Sequence, residues 1–191
     1  EAAQTTIESW DGTSWATSPA TLATARSRAG AGRNTAAGTW IAGGIGPGGG
    51  GEGFDATEVY EKSTNVVTAA AWASSGNLNT ARDGHATTTN AAADTGLVFG
   101  GNYPSGTDNS ESYDGTSWTE GPNLPQALSF LGGAGTATAG LSFTGRLNPG
   151  PRVASTYEWD GSSWTAGGDY GASQAYSGGA GTQTAAIGVA G

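Results

Sequence analysis

Cysteine and methionine are absent from this 191-residue chain, and histidine occurs once, as His85. Without cysteine the chain can form neither disulfides nor thiolate metal sites. One histidine cannot build a histidine-based metal cluster, and no Ser-His-Asp arrangement is recognisable around it. We therefore expect His85 to be structural, and we expect no catalytic residues and no cofactor.

Charged residues are scarce, at 12% of the chain, and the formal net charge is −9. No basic patch offsets this acidity, which would repel a phosphate backbone, so we predict no nucleic-acid partner. No apolar run reaches about 18 residues, so we predict no membrane span. Thr, Ser, Asn and Gly supply most of the polarity, which is more usual in virion and extracellular proteins than in cytosolic enzymes.

The apolar period of an amphipathic helix is missing throughout. Short alternating segments interrupted by Gly, Asn and Pro predict an all-β fold instead. The 35 glycines recur at fixed places, and seven Trp, six Tyr and four Phe exceed the aromatic content typical of a disordered chain. The glycines therefore indicate turns and close strand packing.

One pattern recurs along the chain and is clearest from Leu97 to Trp118. An apolar segment ends in a glycine pair, and an acidic residue, an aromatic residue, an Asp-Gly turn and a tryptophan follow. The second half of the pattern predicts a β-hairpin, at 7–17, 112–119 and 157–165. In the copy that contains Tyr60 and Trp72, the turn carries an insertion around 62–70.

The repeated unit resembles the kelch repeat, as in the segment LVFGGNYPSGTDNSESYDGTSWTEGPNLPQAL (97–128). The Leu-x-x-Ala-Arg elements at 22–26 and 78–82 resemble the links between blades in that family. Two departures are visible: Thr144-Gly145 replaces the glycine pair in the third copy, and the later links lack the arginine.

The resemblance implies one kelch-like β-propeller domain over residues 1–191, with about four blades of four antiparallel strands. The blade units are 1–28 plus 171–191, 29–82, 83–128 and 129–170. The N-terminus supplies an outer hairpin and the C-terminus an inner strand pair, so we expect these to pair and close the ring. The alternative is that these are consecutive blades of a larger propeller whose remainder lies outside this chain.

Three longer loops, at 45–56, 102–110 and 146–155, are predicted to open on the same face as the links between blades. Loops gathered at one end of a rigid scaffold are where binding usually occurs. The candidate contacts for a ligand or partner are Phe54, Tyr103, Arg146, Arg152, Tyr170 and Tyr176. The alternative is that these loops only cap the ring or pack on neighbouring subunits.

Several residue types recur once per copy, which favours packing between blades over a ligand platform. His85 occupies a position that corresponds to small residues in the other copies, so we place it near the axis. The recurring aromatic residues are Trp10, Trp15, Tyr60, Trp72, Tyr113, Trp118, Trp159 and Trp164. The recurring acids, to which we assign structural hydrogen bonding, are Glu8, Glu58, Glu111 and Glu158.

The repeat style is similar to kelch-like repeats in bacteriophage tail and fibre proteins. This resemblance implies a non-catalytic structural or interaction module on a virion or outside a cell, with partner proteins or glycans as ligands, and a place in a larger assembly. The alternative is a secreted propeller hydrolase or lyase that acts on polysaccharide, which needs acid, base and stabilising groups in one pocket. The residues available for such a cluster are Glu52, Asp55, Asp108 and Arg152.

Metal chemistry has little support in the sequence. Galactose-oxidase-like enzymes also carry kelch blades, but their copper site resembles a Cys-linked Tyr with two His, which this chain cannot reproduce. The acid-rich segments at 52–55 and 107–109 could donate oxygens to calcium, although their spacing matches no calcium loop.

Overall fold

The computed structural model describes residues 3–10, 13–18, 20–35, 38–46, 53–61, 71–102 and 105–189. These residues contain no helix, and they form antiparallel sheets, so the predicted all-β class is confirmed. The strands, in chain order, are β1 (Glu8–Trp10), β2 (Trp15–Thr17), β3 (Gly30–Thr35), β4 (Gly38–Ala42), β5 (Thr57–Glu61), β6 (Ala71–Ser74), β7 (Ala86–Thr87), β8 (Gly96–Phe99), β9 (Ser110–Tyr113), β10 (Trp118–Gly121), β11 (Leu128–Ser129), β12 (Gly132–Thr136), β13 (Ala139–Leu147), β14 (Arg152–Trp159), β15 (Trp164–Ala166), β16 (Gly178–Thr182) and β17 (Ala185–Val189).

Consecutive strands form three up-and-down sheets. Sheet 1 has the order β3-β4-β5-β6, sheet 2 has β7-β8-β9-β10, and sheet 3 has β12-β13-β14-β15 with β11 also paired to β13. These strands fall within the predicted units 29–82, 83–128 and 129–170, except that β11 straddles a boundary. The predicted insertion at 62–70 lies outside the described residues.

The first strand of each sheet lies beside the first strand of the next, in the order β3, β7, β12 and β16. Small residues permit this close approach. A Cβ on Gly133 of β12 would lie only 3.1 Å from the Cβ of Ala86 on β7 and 3.0 Å from the ring of Phe99. The predicted crowding of small residues is therefore present along this row of inner strands.

The two chain ends form separate two-stranded sheets, the N-terminal hairpin β1–β2 and the C-terminal hairpin β16–β17. The predicted pairing that would join them into one blade is absent from the described part of the chain. Trp15 is 67% exposed, and Ile187 and Val189 are 71% and 64% exposed. Among the described residues, the two ends of the row of sheets thus do not pair with each other.

The physical reason lies in where each hairpin is held. Gln4 forms a bridge with Arg26, and the Leu22 amide donates to the Thr5 carbonyl (3.0 Å), which fixes the N-terminal hairpin beside the link into sheet 1. The C-terminal hairpin packs on β12 of sheet 3. The hairpins therefore lie at opposite ends of the row.

Aromatic residues of the outer hairpins fill the spaces between neighbouring sheets, as predicted. Trp118 is 5% exposed and Trp164 is 8% exposed, and Tyr113 and Trp159 are also buried. Trp10 departs from this pattern because it is 52% exposed on the N-terminal hairpin. The side chains of Tyr60 and Trp72 lie outside the described residues.

The Asp-Gly turns shape these hairpins. The Asp114 carboxylate accepts hydrogen bonds from the amides of Thr116 and Ser117, both at 2.8 Å. The same arrangement at Asp160, with two serine hydroxyls added, lowers the pKa of that carboxyl to about 2. The glycine after each aspartate adopts a left-handed φ, +95° at Gly115 and +96° at Gly161, which glycine tolerates best.

Candidate functional site at the loop end

The loops between the second and third strands meet the links between sheets at one end of the molecule. Phe54 bridges to Arg82 in the link into sheet 2, and Asn102 bridges to Asp83 in the same link. The Gly145 amide donates to the carbonyl of Gln174 in the link from sheet 3 into the C-terminal hairpin (2.9 Å). We call this end of the molecule the loop end.

A buried ion pair anchors the loop end of sheet 2. The Arg82 guanidinium donates to Glu111 at 2.5 Å, and both side chains are 0% exposed. It also donates to the carbonyls of Gly100 (3.0 Å) and Asn109 (2.9 Å), which are the two ends of the loop. Burial lowers the pKa of Arg82, and the charge of Glu111 opposes that effect. The loop is therefore fixed at its base.

Sheet 1 repeats this arrangement. Arg26 donates to Glu58 at 2.6 Å and to the carbonyls of Gly43 (3.1 Å) and Ala56 (2.9 Å). The sequence shows these arginines and glutamates separately. Their pairing could have been inferred by aligning the copies on their Asp-Gly turns. In that alignment the third copy lacks both the arginine and the glutamate, which are replaced by Leu128 and Tyr157.

Sheet 3 replaces the ion pair with an apolar pair, and this corrects the assignment of Glu158. The strand register places Tyr157, not Glu158, at the position of Glu111, since Trp159 and Tyr113 both face the hairpin tryptophan. Glu158 is exposed. Tyr157 is buried in one cluster with Leu128. The Leu128 carbonyl accepts a hydrogen bond from the Gly101 amide, and the Arg82 carbonyl accepts one from the Gly44 amide in the same way.

Phe54 is a half-buried support of the loop. The Arg26 guanidinium lies 5.7 Å from the centre of its ring, and the backbone amide of Phe54 donates to the Gly44 carbonyl (2.7 Å). Tyr103 lies outside the described residues. The ring of Phe54 therefore lies beside the buried guanidinium of Arg26.

Arg146 and Arg152 lie on strands, which corrects the predicted loop at 146–155. They are directly opposite each other near the ends of β13 and β14, and only residues 148–151 form the turn. Both are exposed. The Arg146 Nε donates to the Gly150 carbonyl (3.2 Å). Two like charges across a ladder repel each other, so this cationic pair favours an anionic partner.

Tyr176 forms an aromatic stack beside this pair. Its ring lies 4.4 Å from that of Phe130 with an interplanar angle of 26°, and it is 53% exposed. Its link is joined to sheet 3 because Gln174 bridges to Val153, the neighbour of Arg152. Tyr176 and Phe130 both have a left-handed φ, at a position that the earlier links fill with Arg28 and Gly84.

Tyr170 belongs to a different place, an open cleft between sheet 3 and the C-terminal hairpin. Its ring stacks on Phe143 (5.7 Å, 19°), and its hydroxyl donates to the Gly188 carbonyl (3.1 Å). The cleft has a volume of about 300 Å³. It is lined by Leu141, Phe143, Thr156, Gly168, Asp169, Tyr170, Gly171, Ala186 and Gly188.

The structure therefore places Arg146 opposite Arg152 at the loop end of sheet 3, and it joins the link that carries Tyr176 to the residue next to Arg152. Phe54 lies in the loop of sheet 1. Asp55 and Asp108, considered for catalysis, belong to the loops of different sheets, and Glu52 lies outside the described residues. Among the described residues no ion pair joins the two aspartates to Arg152, and no three His, Asp or Glu residues are grouped as metal ligands.

His85 is buried between the inner edges of sheets 1 and 2. A Cβ on Gly43 would lie 2.7 Å from its ring, and a Cβ on Gly101 would lie 3.1 Å from its own Cβ. Burial, and then the charge of Arg82, lowers the pKa of His85 to about 3. The expectation that the other copies have a small residue at this position is wrong for the link into sheet 3, where Leu131 occupies it.

Comparison with known proteins gives a fold likeness only. No protein-family model matches the chain, and no curated protein matches it. A solved structure, described as the structure of YjhT, is similar with a TM-score of 0.72 and 11% identity over 92% of this chain. The chain spans only 65% of the length of that protein. At 11% identity this likeness shows the fold alone, and it fits the all-β class.

The part of the chain that the structure describes has no helix with the length and apolar character needed to cross a membrane.

Proposed function

We propose that the chain forms the blades of a kelch-like β-propeller and acts as a non-catalytic interaction module on a virion or extracellular surface. The observation that carries the proposal is a group at the loop end of sheet 3, formed by the exposed residues Arg146, Arg152 and Tyr176 with the half-buried Phe130. We call it the cationic-aromatic surface. The partner is a glycan or a protein that presents acidic groups.

The chemistry of this surface suits an acidic polysaccharide. The exposed face of Tyr176 can stack on the apolar face of a sugar ring, and the two guanidinium groups can each hold a carboxylate through paired hydrogen bonds. A positive surface on a chain with net charge −9 also orients an anionic partner toward this end.

The scaffold favours binding over catalysis. The buried ion pairs of sheets 1 and 2 and the apolar pair of sheet 3 fix the bases of the loops, which lowers the entropy cost of holding a ligand. A binding role does not require an acid and a base held close together. The acids considered for catalysis lie in the loops of different sheets.

The test is calorimetric titration with uronate-containing and neutral oligosaccharides of equal length. We expect the wild-type chain to bind the acidic series, and Arg152→Gln to weaken binding about tenfold or more, as loss of a hydrogen bond between charged groups does. Arg28→Gln removes the same charge from an exposed arginine in the link into sheet 1 and should change affinity little. Equal losses in both variants would contradict a localised site, and release of reducing ends would contradict the non-catalytic role.

A further inference from the structure

Each outer-hairpin tryptophan of sheets 2 and 3 is buried in a receptor on the preceding sheet. Trp118 of sheet 2 lies edge-on to Trp40 of sheet 1 (5.5 Å, 80°), and its Nε1 donates to the Thr57 hydroxyl (2.9 Å). Trp164 of sheet 3 lies edge-on to Phe99 of sheet 2 (5.0 Å, 63°), and its Nε1 has no hydrogen-bond partner. Neighbouring sheets are therefore joined by a tryptophan inserted between them.

The cleft beside Tyr170 is the third receptor of this kind. Thr57 lies opposite Ala42 in the ladder of sheet 1, and Thr156 lies opposite Phe143 in sheet 3, so the two threonines hold equivalent positions. Leu141 likewise takes the position of Trp40. The two positions that contact Trp118 thus line the cleft as Thr156 and Leu141, but no tryptophan of the described residues occupies it.

One tryptophan of the same type lies on the N-terminal hairpin without a receptor. Trp15 is 67% exposed and lies beside Trp10 (5.5 Å, 46°). The pair matches Trp159 and Trp164 on the hairpin of sheet 3 (5.3 Å, 43°). The N-terminal hairpin therefore carries the side chain that the cleft accommodates.

The strand beside the cleft is also ready to accept a hairpin. In sheet 3, β13 pairs with β12 on one side and with β14 on the other. Its equivalent β17 pairs only with β16 among the described residues, and it exposes Ile187 and Val189. An exposed apolar edge strand of this kind is a template for pairing.

The hairpin of the same molecule is held at the far end of the row, with sheets 1 and 2 and most of sheet 3 between it and the cleft. Its backbone bonds to the link into sheet 1 fix it there. We therefore propose that the cleft binds the N-terminal hairpin of a second copy of this chain, with Trp15 inserted beside Leu141 and its Nε1 donating to Thr156. The proposal rests on the propeller architecture but not on the glycan partner.

The contact joins different surfaces of the two copies, so it is heterologous and closes a ring only if the curvature allows. Each composite blade would contain β16 and β17 of one copy and β1 and β2 of the other.

The first test measures the mass of the wild-type chain by light scattering after size-exclusion chromatography. We expect twice the 18.8 kDa of one chain, or a larger multiple. Trp15→Ala should give a monomer with an unchanged far-ultraviolet spectrum, whereas Trp15→Phe, the matched control, should retain the assembly. A monomeric wild-type chain, or an assembly that survives Trp15→Ala, would overturn the proposal.

Complementation separates docking from a folding defect. Ala186→Trp fills the cleft while it leaves the N-terminal hairpin intact, so alone it should be monomeric. Mixed with Trp15→Ala, whose cleft is intact, it should form a one-to-one heterodimer through the one remaining functional contact. Failure of the mixture to associate, when both variants are folded, would also overturn the proposal. Loss of glycan binding would not affect either result.

Discussion

At the scale of single residues, the three sheets solve one packing problem in two ways. Sheet 2 buries the charges of Arg82 and Glu111, whereas sheet 3 buries Leu128 and Tyr157 at the same positions. The backbone amide of Asn79 donates to Glu111 (2.6 Å). The equivalent residue in the link into sheet 3 is Pro125, which has no backbone amide hydrogen. Sheet 3 therefore lacks both the amide donor and the carboxylate acceptor.

We predict that Arg82→Leu alone lowers the free energy of unfolding by about 3–5 kcal/mol, because it leaves Glu111 charged, buried and unpaired. The triple variant Asn79→Pro, Arg82→Leu, Glu111→Tyr, which transplants the residues of sheet 3, should recover most of that loss. Urea denaturation of the two variants and the wild-type chain measures the difference. A triple variant less stable than the single one would show that the positions are not interchangeable.

The lowered pKa of His85 predicts a specific dependence of stability on pH. The unfolded chain binds the proton near pH 6.5, whereas the folded chain binds it only near pH 3, so the unfolded state gains protons first as the pH falls. Stability contributed by neutral His85 is complete above pH 6.5 and decreases by several kcal/mol on the way to pH 3.

His85→Leu, the residue found in sheet 3, removes this component. We expect the difference in thermal stability between wild type and variant to change with pH between about 6.5 and 3 and to be constant above pH 7. Nuclear magnetic resonance of the His85 ring in the wild-type chain gives the pKa directly. A ring that titrates near pH 6.5 would contradict its burial in the neutral form.

At the scale of elements, the Asp-Gly hairpins could be predicted because their determinants are local. The aspartate caps two amides and the glycine adopts a left-handed φ, so the turn is specified within a few residues. The continuation of β13 and β14 through Arg146 and Arg152 could not be predicted in the same way. Pro149 and Gly150 indicate a turn correctly, but pairing between strands decides where that turn begins.

We predict that Gly161→Ala destabilises the chain by about 1 kcal/mol, because alanine is strained at a φ of +96°. Gly168→Ala is the matched control, since a Cβ there would meet nothing within 4 Å and no left-handed φ is present. Denaturation midpoints of the two variants measure the contrast. Equal effects would show that the left-handed φ at Gly161 does not determine the stability of the hairpin.

At the scale of the whole molecule, the repeat and the all-β class could be predicted from the sequence, but closure of the ring could not. The two-stranded sheets at the chain ends are complementary in sequence whether they meet within one molecule or between two. Curvature decides between these cases, and it depends on how closely glycines such as Gly133 and Gly179 bring the inner strands together. That spacing is a property of packing, which no single motif encodes.

The sequence also did not allow us to predict which hairpin tryptophan is buried against the preceding sheet. Trp15, Trp118 and Trp164 look alike in the repeat, yet two are buried and one is 67% exposed. The difference arises from which sheet precedes each hairpin, because each tryptophan is covered by its neighbour and not by its own sheet.

Small-angle X-ray scattering of the wild-type chain tests most directly whether it forms an open row of sheets with complementary ends. A compact monomer of 191 residues has a radius of gyration of about 16 Å. For the wild-type chain we predict a clearly larger radius of gyration. In Trp15→Ala this radius should decrease to that of one open row of sheets. A wild-type radius of about 16 Å, unchanged by Trp15→Ala, would mean that the chain closes on itself and would contradict this account.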